Sequence, residues 1–269
     1  MKIPKTKQCI LDLNRNWITL WLNRPQKRNA LSEDLIIEID KTLDFVKKDS
    51  SVRGLIFRGK GNVFCAGADL KWMQDIAYQK DNAQNKAMKM SMKFGNIFNK
   101  ISEIPKITIS VVDGHCMAGA VGIACATDFL VSTADAKYAL TETRIGLTPA
   151  QIAPYILKKV GFNSGKKLML LGDVLNGNDA FLMGMVDYVV KDRKDLDNKV
   201  LEIMQKVEKC SPNAIAVTKN LINLNYNIDA HHAAKLFSEC IIHKEGHEGF
   251  QSFFEKRKPF WNTKDYYET

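Results

Sequence analysis

The sequence predicts an α/β protein: strands and helices alternate through residues 1–190, and residues 191–269 read as helix alone. Three observations carry this. Short apolar runs with strand character recur, helical periodicity fills the gaps between them, and strand signals stop after residue 190. In order, residues 9–22 (CILDLNRNWITLWL) alternate as two strands about a turn near Asn14–Asn16. Ser32 reads as an N-cap, with Glu33 and Asp34 in the first turn and Leu35, Ile39, Leu43 and Val46 at helical spacing. RGLIFRG (53–59), KITISVVDG (106–114) and DFLVST (128–133) read as buried strands, with helical patterns over 69–77, 82–102 and 119–126. Such alternation implies right-handed crossovers and a mainly parallel sheet. Segments 194–208, 212–225, 228–243 and 245–256 complete the helical C-terminal region.

A chain of 269 residues with 45% hydrophobic content can bury one large core, and 26% charged residues without low-complexity tracts exclude a disordered chain. The longest apolar runs are broken well before the ~20 residues a membrane span needs. The start, MKIPKTKQCILDLNRN, has no apolar h-region and no small-residue cleavage pattern, so no secretory signal is read. Six cysteines are scattered with no CxxC pair, the pattern of reduced thiols in a cytoplasmic protein rather than a disulfide scaffold or metal site. The net charge of +9 is spread along the chain. It suits a polyanion, either nucleic acid or a phosphorylated cofactor such as coenzyme A.

Two glycine-containing turns follow predicted strands and lead into helices: FCAGADL (64–70) and GHCMAGA (114–120). Small residues admit close approach of a ligand to the main chain, and a helix start offers unpaired N–H groups with a favourable dipole. On neighbouring strands, two such turns can aim two donors at one oxygen, an arrangement suited to a thioester enolate. Small residues there also serve tight strand–helix packing or a phosphate site, although neither turn fits GxGxxG or a Walker loop.

NRPQKRNAL (23–31), FCAGADL (64–70), GHCMAGAVGIACATD (114–128), YALTETRIGLTPA (138–150) and DAFLMGMVDYVV (179–190) occur in this order. Together they resemble the enoyl-CoA hydratase/isomerase (crotonase) superfamily over nearly the whole chain. The resemblance implies a ββα superhelix core, a C-terminal helical region that assembles trimers or hexamers, and an acyl-CoA thioester as substrate with no further cofactor or metal. It implies that Ala68 and Gly119 supply the oxyanion-hole N–H groups. Ala66, Asp69 and Leu70 would line the loop where CoA passes, and Arg28 and Ala30 its edge. A cation at that edge suits a phosphate. Lys256 and Lys258 belong either to the nucleotide end or to a solvated basic tail.

Typical hydratases of the family carry two glutamates. Glu142 matches the second, whereas Gly122 stands at the first. One carboxylate can relay both protons of a hydration, and burial would raise its pKa toward that task. Loss of the other side chain is expected to open space and favour a branched or acidic acyl group. Residues 140–156 and 118–122 look most like methylglutaconyl-type hydratases and relatives in terpenoid catabolism. Arg144 or His115 would then face a distal carboxylate.

The resulting expectation is syn hydration of a 2-enoyl-CoA. A Δ3,Δ2-enoyl-CoA isomerase using Glu142 alone is the enzymatic alternative. An RNA-binding hydratase relative lacks its lysine comb, because Glu33, Ile37 and Lys41 occupy those positions, so no nucleic-acid partner is expected. Gly122 leaves a silent scaffold open, against which Ala68, Gly119 and Glu142 argue. His243 and His247 are four apart but do not form HExxH, and Asp128 reads as a structural turn or cap.

Overall fold

The alternating positions of residues 9–22 fold as β1 (Cys9–Asn14) and β2 (Trp17–Leu22), paired antiparallel about Arg15 and Asn16, both at positive φ. Positive φ at both turn residues matches the twist of the flanking strands. A computed structural model describes residues 3–79, 81–224 and 228–262. Helix α1 (Glu33–Lys48) starts where Ser32 Oγ accepts from Leu35 N, and it buries Leu35, Ile36, Ile39, Leu43 and Val46. There follow β3 (Gly54–Gly59), β4 (Val63–Cys65), α2 (Leu70–Ala77), α3 (Ala83–Glu103), β5 (Ile107–Val112), β6 (His115–Met117) and α4 (Gly119–Ala126). Next come β7 (Phe129–Thr133), β8 (Lys137–Ala139), α5 (Ala153–Leu171), β9 (Val174–Asn176), α6 (Gly177–Leu182) and β10 (Tyr188–Val190). Helices α7 (Arg193–Glu208), α8 (Pro212–Asn223), α9 (Ala230–Ile242) and α10 (Lys244–Phe254) end the described chain. The helix expected over 212–225 closes at Asn223, and position 225 itself lies outside the described residues.

The strands form two sheets, not the one that strand–helix alternation predicts. The larger runs β1-β2-β3-β5-β7-β10 and is parallel from β2 onward; the smaller runs β4-β6-β8-β9. Each pair of strands, β3–β4, β5–β6 and β7–β8, gives its first member to the larger sheet and its second to the smaller, and a helix follows. The chain is therefore a succession of ββα turns. Strand β5 is buried on both faces, with Thr108 and Ser110 among its buried residues beside Ile109, Val111 and Val112.

One core lies between the larger sheet and α1, α3, α4 and α5. The other face of that sheet is covered by α7, whose Leu196, Val200, Ile203, Met204 and Val207 pack on Trp17, Ile56, Ile109, Val111 and Val131. Helix α4 is apolar all round, and residues 120–126 are buried throughout. Such a helix has to pass through the interior, with Gly119 at its start half-buried.

Candidate active site

Strands β4, β6 and β8 lie side by side and parallel in the smaller sheet. Just beyond their carboxyl ends stand Ala68 after Cys65, Gly119 after Met117, and Glu142 after Ala139. Sheet order thus gathers three positions that are far apart in sequence. The crevice outside the carboxyl ends of parallel strands is where α/β folds receive ligands.

The first turn is zipped to the segment before α1. Ala66 N donates to Arg28 O, Leu31 N to Gly67 O, and Asp69 N to Leu31 O, at 3.0, 2.8 and 3.1 Å. In this parallel bridge the bonds flank Ala68 and turn its own N–H to the opposite side. Gly67 holds φ +88°, and a Cβ there would fall 2.8 Å from Met117 O and 2.9 Å from Ala118 Cβ, so only glycine lets the two turns touch. The second turn is anchored by Ala118 N donating to Ala139 O at 2.8 Å. Ala118 itself sits at φ 50°, ψ −123°, a strained conformation for a residue with a Cβ. That twist starts α4 at Gly119, whose N–H has no intrahelical acceptor. A Cβ on Gly119 would lie 4.0 Å from Ala68 N, so the main chains of the two turns lie close together. Neither Ala68 N nor Gly119 N donates a hydrogen bond among the described residues.

Glu142 opens a 3-10 turn (Glu142–Ile145) that closes at Gly146 in the left-handed region. Its backbone carbonyl is tied down by Leu147 N at 3.0 Å. In the side chain, Oε2 is buried and has no hydrogen-bond partner among the described residues. Burial raises the Glu142 carboxyl above the usual carboxylate range, and a backbone hydrogen bond only partly opposes this. Cys65 and Cys116, at the root of the site, are buried, and burial pushes Cys65 up to about 12 and Cys116 well above the usual thiol range. Neither is placed to act as a thiolate.

The other sequence candidates fall into two groups. Arg28 is exposed at φ 50°, while Ala30 and Ala66 are half-buried in the zipped edge and Leu70 is 64% exposed at the start of α2. Asp69 does not offer a free carboxylate. It caps α2 through Lys71 N and pairs with Arg24 at 3.2 Å, and Arg24 also reaches Ala30 O. Sequence reading passed over Arg24 and the fully buried Asn29. The Asn29 amide donates to Lys60 O, Val63 O and Phe64 O, and its carbonyl accepts from Arg24 N, so it joins the edge to β4. Both stand in the NRPQKRNAL motif, which was their signal.

Three expectations are corrected. The position of Gly122 is not open: a Cβ there would overlap Ile152 Cγ2 and lie 2.9 Å from Phe98 Cζ. Arg144 is exposed and turned to the end of α5, where it donates to Leu171 O at 3.3 Å. His115 lies at the opposite end of β6 from Gly119, paired with Lys137 and Val63 in register. His243 is the N-cap of α10 and accepts from Glu245 N, so it does not share a helix face with His247. Among the described residues no three His, Cys, Asp or Glu side chains are grouped to hold a metal ion. Lys256 and Lys258 are exposed beyond α10.

Similarity to known proteins identifies the family. Mitochondrial methylglutaconyl-CoA hydratase of Mus musculus is 30% identical over 91% of this chain and 79% of its own length. Crotonyl-CoA hydratase of Syntrophomonas wolfei is 29% identical over 94% and 96%. The solved structure of Pseudomonas aeruginosa AtuE superposes with a TM-score of 0.90 at 32% identity, covering 95% of this chain and 100% of that one. The family model for Enoyl-CoA hydratase/isomerase matches residues 13–264, and with that extent of agreement the chain belongs to the enoyl-CoA hydratase/isomerase family, the crotonase superfamily.

Proposed function

We propose that this enzyme adds water syn across a 2-enoyl-CoA thioester, with the N–H groups of Ala68 and Gly119 as its oxyanion hole and Glu142 as its only acid–base group. The observation that carries the reading is Glu142 Oε2, buried and unpartnered just beyond the end of β8, the strand paired with the one that leads to Gly119. A buried polar atom left unpaired costs about 1–3 kcal/mol or more, and a site that a ligand completes accounts for that cost. Glu142 takes a proton from water as the water oxygen bonds to the β-carbon. The double-bond electrons move onto the thioester oxygen, where the two donors stabilise the enolate. The carbonyl then re-forms, and the protonated Glu142 delivers a proton to the α-carbon. One carboxylate serves both transfers from one face, so addition is syn.

Arg28, Ala30, Ala66 and Leu70 form the edge that receives CoA, with Asp69 shaping the loop through Arg24. Exposed Phe237, Ile241, Ile242, Phe250, Phe253 and Phe254 on α9 and α10 support assembly as a homotrimer or hexamer through the C-terminal region. The six cysteines are free, which suits a cytoplasmic setting.

The test is loss of the conjugated enoyl-thioester absorbance on adding crotonyl-CoA. Glu142→Gln should slow it by roughly 10²-fold or more with little change in ester binding. A rate within about threefold of wild type would overturn the single-glutamate mechanism.

One observation favours a second reading. Phe98 and Ile152 fill the space at Gly122, so the chemistry has a single carboxylate that could move a proton between carbons without adding water. Such a Δ3,Δ2-enoyl-CoA isomerase would generate the conjugated absorbance from 3-hexenoyl-CoA and leave crotonyl-CoA unchanged.

A further inference from the structure

Gly119 and Gly122 stand three residues apart on α4 and therefore share one face of the helix. Opposite them on α3 stand Phe94 and Phe98, four residues apart and likewise on one face. The two faces meet pairwise, with different outcomes. A Cβ at 119 would lie 3.7 Å from Leu31 Cδ1 and 4.0 Å from Phe94 Cε1, ordinary contact distances that leave the main chain approachable. At 122 the same construction runs into Phe98 and Ile152.

That obstruction is fixed from several sides. The Phe98 ring packs edge-on against Tyr155 at 5.9 Å and beside Phe94 at 6.3 Å, and Trp72 continues the aromatic row beyond Phe94 at 6.1 Å. Ile152 immediately precedes α5, and its neighbour Gln151 donates to Ser91 Oγ on α3 at 3.0 Å. Phe98 and Ile152 are buried.

Coenzyme A is large and polyanionic, so its part of the ester must lie toward solvent, along the loops at 28–30 and 66–70. With the thioester oxygen between Ala68 N and Gly119 N, the acyl chain leaves in the other direction, inward along α4. There it meets Leu31 and Phe94 first, then the Phe98–Ile152 obstruction. None of these four side chains is charged, Arg144 is turned to Leu171 O at the end of α5, and His115 is at the far end of β6. A carboxylate carried inward would be desolvated among these four apolar side chains.

We propose that Phe98 and Ile152 form the end wall of the acyl pocket and restrict the enzyme to short, uncharged acyl chains. The proposal rests on the acyl-CoA reading above and deepens it. It also reverses the preference for a branched or acidic acyl group that an open Gly122 would give.

Saturated esters test it without turnover. Calorimetric titration of the wild-type enzyme with butyryl-, octanoyl- and glutaryl-CoA should show butyryl-CoA bound at least about tenfold more tightly than the other two. Phe98→Ala should raise the octanoyl-to-butyryl affinity ratio by about tenfold or more while glutaryl-CoA stays weak. Should that variant lose its native circular dichroism, Phe98→Leu and Ile152→Val keep the hydrocarbon and should shift the ratio in the same direction by less. Equal wild-type binding of octanoyl- or glutaryl-CoA overturns the proposal, as does an unchanged ratio in a folded variant. Binding discrimination without hydration of crotonyl-CoA would overturn the hydratase reading and leave the wall standing.

Discussion

Asp128 and Glu142 are both carboxylates near the ends of core elements, yet their surroundings are opposite. Asp128 Oδ2 accepts from Thr108 N at 2.7 Å, Thr108 Oγ1 at 2.9 Å and Lys219 Nζ at 2.7 Å. Lys219, itself buried, spends its remaining donors on Lys106 O and Ile101 O. This network ties α8 to the start of β5 and the turn before β7, as a structural role for Asp128 requires. Glu142 Oε2 has no partner among the described residues. A carboxylate oxygen that is hydrogen-bonded and ion-paired holds structure together; one left without a partner in a buried place is available for chemistry.

The largest effect should come from removing the unpartnered charge. Glu142→Gln should lower kcat/KM for crotonyl-CoA by about 10²–10⁴-fold. Its thermal unfolding midpoint at pH 8 should be no lower than that of wild type. The reason is linkage: the folded carboxyl holds its proton more tightly than the unfolded one, so stability falls as pH rises through its raised value. Glutamine removes that loss. A clear drop in the midpoint would show that Glu142 has a structural partner and would erase the contrast with Asp128.

Asp128→Ala should do the reverse. It strands the Lys219 ammonium in the interior and should cost about 3 kcal/mol in urea unfolding. Activity per folded molecule should stay near wild type. A stable but inactive variant would move Asp128 into the site.

Gly119→Val asks whether the unpartnered N–H groups behave like the unpartnered carboxylate. The Cβ itself meets only ordinary contacts, so the fold should survive, but the methyl groups would project over the two donors. Turnover should fall by about 10²–10³-fold, the scale of losing an oxyanion donor, with native circular dichroism retained. Full activity would remove the second turn from the site.

The smallest effect is in pH. The base must be ionised, so kcat/KM should decline as pH falls through the raised Glu142 value, with its midpoint above the ~4.3 of a free glutamate. Glu142→Gln should flatten that limb. An acid limb at the ordinary value, or one that persists in the glutamine variant, would assign it to another group.

Patterns that depend on local burial were legible in the chain itself. The β1–β2 hairpin, the Ser32 cap of α1, the 119–126 limits of α4 and the helical run after residue 190 all follow from alternation, caps and period. The two small-residue turns were legible as residue types, whereas Ala68, Gly119 and Glu142 became candidates through the resemblance of their motifs to the crotonase superfamily. What stayed hidden has one physical cause. Strands β4, β6, β8 and β9 are three residues each, too short to carry a period, so the second sheet exists only through its neighbours. The space at Gly122 is decided by Phe98 and Ile152, 24 and 30 positions away, and the fate of Asp69 by Arg24. Sequence determines which groups this enzyme has and in what local conformation each begins. Which of them is left without a partner, and which gap is already full, depends on long-range packing and was decided only when the chain closed.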